Sequence, residues 1–242
     1  MVKPSCVHVF VALCDNQNQG IVKVNEELGN GQNPKSNLYW GAKYGVRTFF
    51  EKSPHWKTHS VSQQPDSRRP FVLERAVFTW RERPEVFVVA EAYDGAKMPQ
   101  ALVDFFATAA GKPVTTYSVP GGVKYAEGSG PDLVCFVGHN GLMDERLAKV
   151  PRREDGRGPS QAVVLACKSR SFFTEPLRSA GCLPLVLTNG LMAPEAYTLD
   201  AVLRSWAKGA DTTAVVDTAA GAYAQYQKIS KTAALKLFAE RP

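Results

Sequence analysis

Two patterns of apolar residues alternate along the chain. Short unbroken runs rich in Val, Leu and Phe occupy residues 7–14, 86–92, 132–138, 161–166 and 183–188, and most close on Asn, Asp, Gly or Ser. Such runs suit strands buried on both faces, as in a parallel sheet covered by helices. Between them, residues 38–51, 99–110, 172–180, 195–208 and 213–240 carry apolar residues at helical spacing. Pro99 opens one of these segments, Gly181 and Gly209 close two others, and the last places Val216, Ala219, Tyr223, Tyr226 and Ile229 on one face. Residues 71–81 alternate loosely and read as a further strand. Residues 17–37, 53–70, 111–130 and 144–160 lack a period and read as loops. Strands alternating with helices imply βαβ units. The expected fold is α/β, a mostly parallel central sheet with helices on both faces. No repeat or composition shift marks a boundary, so 1–242 reads as a single domain.

Composition narrows the function. Hydrophobic residues at 44% and charged residues at 21% describe a folded globular chain. The formal charge is +6, but the basic residues are scattered. The densest cluster, from Lys149 to Arg153, is followed at once by Glu154 and Asp155. With no nucleic-acid motif beside it, no nucleic-acid partner is expected. Five widely spaced cysteines without a CxxC pair exclude a disulfide framework and a zinc ribbon, and suit a reducing, cytoplasmic setting. His55 and His59 have the spacing of a helical metal pair, but they follow Pro54 and lack an acidic or thiol partner nearby, so no metal is expected. Residues 3–14 imitate a signal peptide, but His8 interrupts the run and Asp15 follows it, so a first core strand fits better. No run reaches membrane-spanning length, and no membrane association is expected. Neither a dinucleotide fingerprint nor a P-loop is present, so no cofactor is implied.

The reactive side chains lie at the ends of two runs. Residues 132–138 lead into His139-Asn140-Gly141, and residues 161–166 lead into Cys167-Lys168-Ser169. Ligands of open α/β sheets bind beyond the carboxyl ends of strands, so an imidazole and a thiol at two such ends share one rim. A nearby imidazole can take the proton of a cysteine and activate it as a nucleophile. Gly141 permits close backbone approach, and its amide, with that of Cys167, is a candidate oxyanion donor. Helix N–H groups just after Cys167 would favour the thiolate. The competing view is that a strand-end Cys is a small buried hydrophobe, as expected for Cys6, Cys14, Cys135 and Cys182. Other thiol chemistries fit less well: Phe173 stands where a phosphatase loop needs arginine, and no Gly-x-Cys-x-Gly elbow is present.

The segments Val137-Gly138-His139-Asn140-Gly141 and Leu165-Ala166-Cys167-Lys168-Ser169 resemble the caspase–hemoglobinase class of cysteine peptidases, which includes caspases, metacaspases, legumains, gingipains and separases. That class places its catalytic His after the third core strand and its Cys after the fourth. The chain departs from it where Asn140 separates His139 from Gly141, and it lacks the Gln-Ala-Cys-x-Gly pentapeptide. The resemblance implies a caspase-like α/β/α domain that hydrolyses peptide or protein substrates, with Cys167 as nucleophile and His139 as base. It also implies a P1 pocket near the first and fourth strands. Asp15 and Asn16 end the first strand, and a carboxylate at Asp15 would suit Arg or Lys at P1; the alternative is that both make local turn hydrogen bonds. Asp144 is a second candidate for that role, and Thr188 and Asn189 are expected along the same cleft. A catalytically silent caspase-like binding module, or a flavodoxin-like domain with incidental Cys and His, are the other readings.

Overall fold

The unbroken apolar runs form the buried centre of one seven-stranded sheet. The computed structural model describes residues 5–115, 117–118, 124–125, 130–154, 156 and 158–238. The first half contains β1 (Ser5–Ala12), α1 (Val46–Lys52), β2 (Trp56–Gln63), β3 (Val72–Trp80), β4 (Val86–Tyr93), α2 (Met98–Ala109) and the two-residue strands β5 (Tyr117–Ser118) and β6 (Lys124–Tyr125). The second half contains β7 (Leu133–Val137), β8 (Ser160–Leu165), α3 (Ser169–Ser179), β9 (Cys182–Val186), α4 (Ala196–Ala207), α5 (Thr212–Gln227) and α6 (Lys231–Phe238). The sheet order is β2-β3-β4-β1-β7-β8-β9. Strands β4, β1, β7, β8 and β9 run parallel, and β2 and β3 add an antiparallel edge.

Alternate residues of β1 and β7 supply the two faces. Val7, Val9, Val11, Leu133, Cys135 and Val137 pack into the core beneath α1, α4, α5 and α6. Phe10, Ala12, Val134 and Phe136 pack into the core beneath α2 and α3. The fold is therefore the three-layer α/β/α arrangement that the sequence pattern predicts.

Besides the short strands β5 and β6 within the expected loop at 111–130 and the break between α5 and α6 within 213–240, two segments differ from expectation. Residues 38–45 form turns rather than the start of a helix. Asn37 accepts from the Cys14 amide at 3.0 Å and donates to the Cys14 carbonyl at 2.8 Å. Its own carbonyl accepts from the amides of Trp40, Gly41 and Ala42. A Cβ at Gly45 would stand 2.4 Å from the Trp40 backbone, so these turns pack too closely for a helix. The expected loop at 53–70 contains the edge strand β2, whose residues after Trp56 are exposed and so show no apolar alternation. His59 therefore lies on a strand, and the helical spacing proposed for His55 and His59 does not apply.

Beneath α2 lies a buried charge network. Arg69 bonds Asp104 at 2.7 Å and Glu91 at 3.0 Å, Arg75 bonds Glu91 at 2.6 Å, and His8 meets Glu91 at 3.2 Å. The network anchors the 66–70 turn to β4, because each of these charges would be costly to bury alone.

Candidate active site

The site arises where β7 and β8 stop. Val137 pairs with Leu165 in parallel register, and neighbouring strands lie about 4.8 Å apart, so the chain leaves both strands side by side. His139 and Cys167 each lie two residues beyond this pair, in phase with Val137 and Leu165 on the face covered by α1, α4 and α5. Gly138 makes the first exit possible. Its φ is +147°, and a Cβ there would lie 2.7 Å from the Ala12 carbonyl oxygen. Lys168, just after the thiol, adopts a left-handed conformation (φ +50°) that turns the chain sharply into α3.

Asn140 joins the two turns. Its side-chain amide donates to the Cys167 carbonyl at 2.6 Å, and its Oδ1 accepts from the Leu142 amide at 3.1 Å. The resulting single turn carries Asp144 back to the imidazole, where Oδ2 lies 2.6 Å from His139 Nε2. A carboxylate can only accept, so Nε2 bears the proton and Nδ1 is the basic nitrogen. The same Oδ2 accepts from the Gly20 amide at 3.3 Å, drawing the 17–37 loop over the site.

Cys167 is partly exposed, whereas Cys6, Cys14, Cys135 and Cys182 are buried, as expected of small core residues. Burial pushes the Cys14 and Cys182 thiols up to about 11, which keeps them protonated and unreactive. The Met192 amide donates to the Cys167 sulfur at 3.4 Å and the thiol donates to the Met192 carbonyl at 3.6 Å, while no hydrogen bond joins the sulfur to the His139 ring. Cys167 and His139 line one cleft of about 360 Å³, together with Tyr39, Met192, Pro194 and Glu195.

The other expected site residues lie elsewhere. Asp15 is buried and accepts from the amides of Gln17 and Asn18 and from the side chains of Asn18 and Gln32, so it makes local turn hydrogen bonds. Those bonds hold its carboxyl below the usual range, although burial alone would raise it. The Asn16 side chain brackets Val24, donating to its carbonyl and accepting from its amide. Both residues line a separate polar cavity. Thr188 is fully buried, with its hydroxyl on Ala166, and Asn189 joins Arg170 to the Lys236 carbonyl. The Gly141 amide donates to the His139 carbonyl, which removes it as an oxyanion donor. The first amides of α3 are also taken: Ser169 and Arg170 donate to Thr188. The Cys167 amide has no acceptor among the described residues.

Asp144 belongs to the site, but as the partner of His139 and not as a receptor for a basic substrate. Its position five residues after the histidine gives no warning of this, because the contact depends on the turn that Asn140 caps. Met192 and its neighbours come from the loop after β9, 25 residues beyond Cys167. Among the described residues, no group of three or more metal-binding side chains is present, and no helix is long and apolar enough to cross a membrane. Fold and site together define an α/β/α protein with a thiol, an imidazole and a carboxylate at one end of its sheet. The chain matches no family model, no curated protein and no solved structure.

Proposed function

We propose that this chain is a cysteine peptidase of the caspase–hemoglobinase type, with Cys167 as nucleophile, His139 as general acid and base, and Asp144 as the group that orients the imidazole. The supporting observation is that His139, its Nε2 engaged by Asp144, lines the same cleft as the one cysteine that is not buried. Counting β1, β4, β7 and β8 as the first four core strands, His139 follows the third and Cys167 the fourth, the order seen in that class.

The chemistry follows from this arrangement. The Cys167 sulfur attacks the scissile carbonyl carbon while its proton passes to Nδ1 of His139. The carbonyl oxygen becomes an oxyanion that accepts from the Cys167 amide. Collapse breaks the C–N bond, and His139 returns the proton to the departing amine. Water, deprotonated by the same imidazole, then hydrolyses the thioester and restores the thiol. Asp144 fixes the tautomer and stabilises the imidazolium.

One observation favours a second reading, a silent module that binds through the same cleft: with the Gly141 amide occupied, the Cys167 amide is the sole donor of the expected oxyanion pair. A panel of fluorogenic peptides varied at P1, run with the wild type and Cys167→Ala, separates the two. Hydrolysis lost in Cys167→Ala supports the peptidase. Binding without turnover, unchanged in Cys167→Ala, supports the silent module.

A further inference from the structure

We infer that the cleft over Cys167 and His139 takes a large apolar side chain of the substrate, such as Leu, Met or Phe, in place of the basic side chain that the position of Asp15 suggested. The inference rests on the peptidase reading for what happens to the bound chain, and on the walls of the cleft for what binds.

Those walls are apolar. Ile21, Val22 and Leu38 form one side, and Leu191, Met192 and Pro194 come from the loop after β9. Their outer members face water: Val22 is 91% exposed, Leu191 71% and Met143 43%. Eight large hydrophobic residues are exposed among the described residues, and these three gather around one cavity. Apolar groups concentrated at the lips of a concave site mark a binding groove, since water contact there is unfavourable until a ligand covers them. The two lips belong to separate loops that leave an open slot with the thiol inside. Such a slot suits an extended chain that presents one side chain inward.

Two carboxylates border the cleft, and each has one oxygen engaged. Asp144 is held by His139 and the Gly20 amide. Glu195 Oε2 accepts from the Tyr197 hydroxyl at 2.9 Å and from the Gln227 side chain at 3.3 Å. Burial also raises the Glu195 carboxyl, which weakens it as an anion. A lysine or arginine entering the cleft would give up its water among apolar walls and meet one carboxylate oxygen, Oε1 of Glu195. An alkyl or aromatic side chain loses nothing of the kind.

The test measures occupancy and turnover separately. Alkylation of Cys167 by iodoacetamide is followed by mass spectrometry with the N-acetyl amides of Leu, Phe, Arg and Asp as competitors. Protection by the Leu and Phe amides, tighter by about tenfold or more than by the Arg or Asp amides, is the expected result. Leu191→Glu combined with Val22→Glu should remove that preference while Cys167 remains alkylated. Equal protection by all four amides, or by none, overturns the inference. So does preference for Arg that Glu195→Gln abolishes, and so does a dimer on size exclusion that the double variant dissociates. Failure of the peptidase reading looks different: apolar amides protect Cys167, yet no fluorogenic peptide is cleaved. Cleavage that depends on Cys167 but favours Arg at P1 sinks the inference alone.

Discussion

Asn140 and Asp144 have different tasks. Asn140 is fully buried and holds the Cys167 carbonyl, so removing its side chain leaves that carbonyl without its partner. Asn140→Ala should lower stability by about 1–3 kcal/mol, read by urea unfolding, and should reduce hydrolysis as the two turns separate. Asp144 is 42% exposed, and a polar contact so open to solvent contributes about 0–1 kcal/mol. Asp144→Asn should therefore leave the unfolding midpoint nearly unchanged while lowering the hydrolysis rate by about 10²- to 10⁴-fold, because the amide can stabilise the wrong imidazole tautomer. His139 and Cys167 were legible in sequence because each stands at a fixed step beyond a buried run, and the parallel register carries that step into space. Asp15, Thr188 and Asn189 misled for the opposite reason. Position at a strand end does not reveal that Gln32, Ser169 or Arg170 will engage the side chain from elsewhere.

Among the elements, those that bury a continuous face were readable and those defined by their exceptions were not. The buried strands β1, β4, β7, β8 and β9 follow the apolar runs, and α2 starts at the residue before Pro99. Strand β2 escaped because its exposed edge position leaves Lys57, Thr58 and Ser60 without an apolar partner pattern. The helical spacing over residues 213–240 conceals a break: α5 ends at Gln227, and Lys228 caps it in the left-handed conformation at φ +57° before α6 begins. A side chain there costs energy that glycine avoids. Lys228→Gly should raise stability by roughly 1 kcal/mol, measured by denaturant midpoint, provided that α6 stays docked. Gly138 makes the opposite case, since Gly138→Ala would force a Cβ against Ala12 and displace the His139 turn.

Taken as a whole, the molecule has its candidate chemistry at one sheet end and a buried ionic cluster under α2. Burial alone would raise the Glu91 carboxyl, but the His8 hydrogen bond and the Arg69 and Arg75 charges hold it well below the usual range. Burial holds His8 below its ordinary value despite the Glu91 contact. Both groups bind protons less readily when folded, so their contributions are present at neutral pH and are lost on acidification. Stability should begin to fall as pH drops through about 6.5, where unfolded His8 takes up a proton, and fall further below about 4 as the unfolded Glu91 carboxylate does. Thermal midpoints across that range check the sign; a midpoint that rises on acidification would contradict it. Glu91→Ala should cost about 3–5 kcal/mol, because two arginines lose a buried partner.

Strands β7 and β8 end with an imidazole and a thiol on one cleft, and the rate at which iodoacetamide alkylates Cys167 at neutral pH reads whether the first activates the second. If His139 activates the sulfur, His139→Ala, with its circular dichroism unchanged, should slow alkylation of Cys167 by about tenfold or more. Equal rates in the two proteins would show that the pair does not work together.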